Sequence, residues 1–74
     1  MKKELDLHGT KHADAFRKVD HFIGQHIQMG TREVFIVTGH SKGMKDVVND
    51  VLNDYSLDSE EEWGNNGKLI VKMF

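Results

Sequence analysis

Apolar and polar positions alternate with two different periods along this chain, and the change of period marks out its elements. Leu5 and Leu7 alternate with Asp6 and His8, the two-residue period of a strand with one buried face. From Lys11 to about Met29 the apolar residues Ala15, Phe16, Val19, Phe22, Ile23 and Ile27 recur at steps of three and four. That spacing predicts an amphipathic helix, with Asp14, Arg17, Lys18, His21 and Gln25 outside the stripe. Gly30 follows as its stop, where a left-handed backbone is wanted. Val34-Phe35-Ile36-Val37 is an unbroken β-branched and aromatic run, the pattern of an inner strand covered on both faces.

Past a glycine loop, Met44, Val47, Val48, Val51, Leu52 and Tyr55 form a second helical stripe. Asp46, Asn49, Asp50 and Asn53 take its wet side. The remainder reads as two strands joined by Gly64-Asn65-Asn66-Gly67, residues that tolerate the positive φ of hairpin turns. The order is β-α-β-α-β-β, which predicts an α/β fold with two helices and a mixed four-stranded sheet. A strand-helix-strand unit of this length closes as a parallel crossover. The first two strands therefore end at one edge, where α/β sheets keep their ligand crevice.

Two polar strand ends meet at that edge: His8-Gly9 and Thr38-Gly39-His40. With Leu5 and Leu7 toward the core, Asp6 and His8 share the other face, their Cα atoms about 6.6 Å apart by strand rise. A carboxylate there orients an imidazole and raises its pKa, giving a proton donor or acceptor near neutrality. The alternative is the wet side of an edge strand.

Thr38-Gly39-His40-Ser41-Lys42-Gly43 reads as a strand-to-helix turn built for an anion, with glycines that let the backbone approach and a helix N-terminus behind them. Ser41 is placed to cap the helix. Lys42 and Lys45 bring positive charge to its first turn, against the helix dipole, and an anion would relieve that conflict. The other reading is a tight connection with incidental lysines, and the residue order is not that of a P-loop.

Composition narrows the chemistry. The 74 residues suffice for one domain, expected over 1–74. No cysteine is present, so disulfides and thiolate metal sites are excluded, as expected of a cytoplasmic protein. No apolar run reaches the roughly 20 residues of a membrane span, and the charged start does not read as a signal peptide. A monomer is expected.

Net charge is −2, unlike domains that hold nucleic acid by bulk electrostatics, whose pI is commonly above about 9. Its distribution is uneven. Up to Lys45 there are eight basic and five acidic residues, a balance of +3, together with all five histidines; from Asp46 there are two basic and seven acidic, −5. Such a division suggests one face for a polyanion and another that repels it, or else ordinary scatter of surface charge.

These residues carry a resemblance. The chain resembles the Smr domain, the small MutS-related domain found at the C-terminus of one class of MutS proteins and as a stand-alone protein. That family opens with Leu-Asp-Leu-His-Gly, a spacer and an acidic residue before Ala, matched here by Leu5 to Gly9 and Asp14-Ala15. Its second motif, His/Thr-Gly-x-Gly, is matched by Thr38-Gly39-His40, and Gly67 with Leu69-Ile70-Val71 fits its closing glycine and strand. Lys45 fills a position where the family carries Arg or Lys. Ser41 departs from the pattern, standing where the family has its second glycine, and its Cβ narrows the approach to the loop. The resemblance implies a two-layer α/β sandwich and a nucleic-acid-binding or nicking endonuclease activity, in some members directed at RNA or ribosomes.

With no covalent triad in view, the chemistry expected is acid–base work on a phosphodiester. His8 and His40 would flank it, Asp6 would orient His8, and Gly9, Lys11, Thr38, Gly39, Ser41, Lys42, Gly43 and Lys45 would hold the phosphate. Such machinery suits RNA, whose 2′-OH is a built-in nucleophile, while DNA needs an external water most easily activated by a metal ion. The sequence requires no cofactor, although a divalent ion held by Asp6, His8, His12 and His40 is conceivable. His21, on the solvated face of the first helix, and His26, at its margin, receive no role. The acidic run Asp58 and Glu60 to Glu62 is expected to face water on an edge strand, and Trp63 to cap the core. A non-catalytic RNA-, DNA- or ribosome-binding module is the alternative, and a small phosphate-metabolite binder a weaker one, since so short a chain encloses little.

Overall fold

A computed structural model describes residues 3–62 and 64–74. The elements are β1 (Glu4–Asp6), α1 (His12–Met29), β2 (Glu33–Val37), α2 (Lys42–Asp54), β3 (Ser59–Glu62) and β4 (Asn65–Lys72). The sheet runs β1-β2-β4-β3, with β1 parallel to β2 and the other pairs antiparallel. This is the mixed four-stranded sheet and the element order read from the sequence. Both helices pack on one face, so the core lies in a single layer between them and the sheet. It contains Leu7, Ala15, Val19, Ile23, Val34, Ile36, Val48, Leu52 and Val71, all essentially without exposure. At about 1.5–3 kcal/mol for each large aliphatic side chain taken out of water, that layer dominates the stability of so short a chain.

One covered face corrects the expectation for β2. Val34 and Ile36 are buried, but Phe35 and Val37 are only half-buried on the open side. An all-apolar run does not reveal that only one layer of helix covers it. On that open side Lys68 compensates: its Nζ lies 5.4 Å from the centre of the Phe35 ring and 2.9 Å from a Glu4 carboxylate oxygen.

The stripe of α1 also differs from the reading. Ala15, Val19, Phe22, Ile23 and His26 are buried, whereas Phe16 and Ile27 lie toward solvent. Each is one residue, about 100° of helix, past a buried position. His26 is fully buried, a correction to its placement at the helix margin. Its Nδ1 is hydrogen-bonded to the Thr31 hydroxyl at 2.8 Å, and its ring meets Phe22 edge-on at 4.6 Å. Gly30 ends the helix at φ 70°, as expected. The buried face of α2 is the predicted one, except that Tyr55 is a half-buried C-cap whose hydroxyl donates to Asp20 Oδ1 at 2.7 Å.

The closing hairpin is tighter than the sequence suggested. Glu62 already pairs with Asn65, so β4 begins inside the expected turn, and Gly64 takes φ 78°. The role assigned to Trp63 lies outside the described residues.

Candidate nucleic-acid interface

Because β1 and β2 are parallel and each leads into a helix, one sheet edge gathers two strand ends and two helix N-termini. Register puts Asp6 beside Val37, and the Leu7 N–H donates to the Val37 carbonyl at 2.8 Å. His8-Gly9 and Thr38-Gly39-His40 therefore stand on neighbouring strands, as the pattern predicted.

Each strand end turns on a left-handed glycine. The Thr10 N–H returns to the Leu7 carbonyl at 2.9 Å with Gly9 at φ 77°, the positive φ that a type II turn needs at its third residue. Gly39 is also left-handed, at φ 65°. Both glycines have open space where a Cβ would be, so backbone conformation alone selects them. The two strands end alike because each must reverse sharply into a helix at the same edge.

Asp6 behaves differently from its assigned role. Its Oδ1 accepts the main-chain N–H of His8 at 2.8 Å, a local side-chain turn that shapes the strand end. Among the described residues no bond joins this carboxylate to an imidazole. It positions His8 through the backbone. His8 and His40 are both exposed.

The glycine loop is also partly spent. The N–H groups of Thr38 and Gly39 both donate to the Gly67 carbonyl, at 2.9 and 3.0 Å. The Thr38 hydroxyl donates to the Gly39 carbonyl at 2.9 Å, and Thr38 itself is buried. Those two residues fasten the loop to β4, their N–H groups already paired. Sequence pattern could not show this, because the acceptor comes from a residue nearly thirty positions away.

Ser41 is the N-cap of α2, its Oγ accepting the Met44 N–H at 3.1 Å. Among the described residues nothing accepts the N–H groups of His40, Ser41, Lys42 and Gly43. Those of Ser41, Lys42 and Gly43 belong to the N-cap and first turn of α2. Lys11, the N-cap of α1, and Lys42 are exposed and in no ion pair among the described residues.

Lys45 is not free. Its Nζ is 3.0 Å from Glu61 Oε1, and its side chain is only 18% exposed. The acidic run therefore does more than face water: Glu60 and Glu62 each lie 3.7 Å from a lysine of β4, Lys72 and Lys68 respectively. The acidic second half of the chain is not segregated from the basic first half; at Glu61 it reaches the site edge.

His12, named from the sequence only as a conceivable metal ligand, also belongs to this edge. A Cβ on Gly43 would lie 2.7 Å from Cε1 of His12, so the imidazole rests against the first turn of α2 and joins the two helix N-termini. A strand-end histidine followed four residues later by a helix-start histidine was the available signal. Among the described residues no cluster of three or more His, Asp or Glu is arranged to hold a metal ion.

Comparison with known proteins settles the family. The family model of the Smr domain matches residues 5–73, nearly the whole chain. The chain belongs to the Smr family. This family is known for nucleic-acid binding and nuclease activity, and the Smr motifs, Leu5 to Gly9 and Thr38 to His40, form the edge described above. No curated protein and no solved structure matches the chain. No helix among the described residues is long and apolar enough to cross a membrane.

Proposed function

We propose that this Smr domain is an endonuclease that grips a single strand at the shared edge of β1 and β2 and cleaves a phosphodiester there, with RNA the favoured substrate. The observation that carries the reading is the convergence of two exposed imidazoles, His8 and His40, with the unsatisfied N–H groups of residues 40–43 on one sheet edge. The donors and the free Lys11 and Lys42 bind the phosphate. His8 and His40 supply acid and base, and Asp6 fixes the strand end that presents His8. Removing one partner of such a pair lowers the rate on the order of 10²–10⁴-fold.

The test is cleavage of an end-labelled single-stranded RNA with and without chelator. Activity that persists in chelator and is lost in His8→Ala supports the reading; a His8→Ala protein that cuts as fast as wild type overturns it.

One observation favours a second reading, a non-catalytic module for RNA, DNA or a ribosomal surface. The Asp6 carboxylate serves a main-chain N–H, so His8 lacks the carboxylate-imidazole bond that tunes a base. Binding that survives His8→Ala, with no product from wild type, selects this module.

A further inference from the structure

The Lys45–Glu61 pair has a bearing on how much of a strand this edge can hold. Lys45 lies in the first turn of α2, its N–H donating to the Ser41 carbonyl at 3.1 Å, directly behind the unsatisfied donors of residues 40–43. A lysine there opposes the helix dipole and wants an anion. Glu61 supplies it from across the sheet. In the bent end of β3, where the register slips between Glu61 and Glu62, the Glu61 side chain falls on the helix face while its neighbours Glu60 and Glu62 fall on the other. Among the described residues it is the one member of the acidic run in an ion pair with a helix.

We infer that Glu61 occupies Lys45 in place of a substrate phosphate, an internal competitor that confines the interface to a short stretch of single strand. This rests on the proposed function above. With Lys45 engaged, the lysines at the edge in no ion pair among the described residues are Lys11 and Lys42, enough for about two phosphates and a log–log salt slope near −1.4 at about −0.7 per phosphate for single strands. Releasing Lys45 adds a third contact on a long flexible stem. A carboxylate on an edge strand thus sets the footprint of a site to which it contributes no ligand.

The experiment measures the affinity of a short single-stranded RNA for wild type, Glu61→Gln, Lys45→Gln and the double variant, each across a series of salt concentrations. Glutamine keeps the size of Glu61 at a half-exposed position, and amide spectra confirm the fold of each variant. The expected result is a Glu61→Gln protein that binds up to about fivefold more tightly at low salt, with a slope steeper by about 0.7. Lys45→Gln alone leaves the wild-type slope unchanged, and in the double variant it removes the gain. A pair that merely bolted α2 to β3 would alter stability without moving the slope. An unchanged slope in Glu61→Gln overturns the inference while leaving the proposed function intact, and so does a shallower slope in Lys45→Gln alone. A wild type that binds no RNA overturns both.

Discussion

The imidazole of His12 rests on Gly43: a methyl group there would come within 2.7 Å of Cε1. The contact draws the starts of α1 and α2 together at the edge where both strands end, and glycine is the residue that permits it.

Gly43→Ala is therefore expected to displace the ring without unfolding the protein. The atom met is the end of an exposed side chain, and alanine suits a helix better than glycine by up to about 1 kcal/mol. Denaturant unfolding should show stability unchanged or slightly raised, while RNA affinity falls and the His12 ring resonances shift. Loss of stability above about 1 kcal/mol would mean that the ring cannot move aside.

Gly39→Ala should behave in the opposite way. Nothing crowds the missing Cβ, yet φ is 65°, and a left-handed backbone costs an L-residue roughly 1–2 kcal/mol. Chemical denaturation should register that loss, with the Gly67 carbonyl losing its two loop donors if the turn opens. A neutral result would show that the turn relaxes to another conformation.

Thr31→Val tests the buried imidazole at the other end of the sheet. It removes the hydroxyl bonded to His26 Nδ1 at 2.8 Å, and depriving a buried polar atom of a partner costs about 1–3 kcal/mol. The melting temperature should fall while RNA binding holds at temperatures where the variant is folded. Equal losses of both would tie this region to the site.

Alkaline pH should weaken the fold through two groups. The hydrogen bond to Asp20 raises the Tyr55 pKa above its ordinary 10.0, and the bond to Glu4 raises Lys68 above 10.5. Both hold protons more tightly folded than unfolded, so the stability they confer is complete below about pH 10 and declines as pH rises beyond it. Tyr55 is the only tyrosine, so its phenolate absorbance reports the first step directly. Tyr55→Phe should remove that step and leave the lysine's. A phenolate midpoint below pH 10 would contradict the assignment.

Much of this architecture was legible because period and punctuation agree. Leu7, the stripe of α2 and Gly30 each state one local preference that the fold honours, and the stripe of α1 is kept at Ala15, Val19, Phe22 and Ile23. What escaped were contacts between distant residues. His26 looked marginal because its neighbour Ile27 is the more apolar of the two; packing chose the imidazole, since Thr31 could satisfy it. Phe35 and Val37 read as covered because periodicity cannot count layers. At the site the motifs located the edge but not the partners within it. Gly67 consumes the Thr38 and Gly39 donors, Glu61 consumes Lys45, and Asp6 spends its carboxylate on a backbone N–H, each an acceptor whose target only the folded chain specifies.

The central claim is that the two strand ends form one nucleic-acid contact, and chemical-shift mapping addresses it most directly. Titrating a short single-stranded RNA into labelled protein, beside matched DNA and free nucleotide, should move amide signals of residues 8–12 and 40–45 as one saturating group, RNA most strongly. The open sheet face at Phe35, Lys68 and Lys72 should stay still. Shifts confined to that face, or to only one of the two strand ends, would contradict the account.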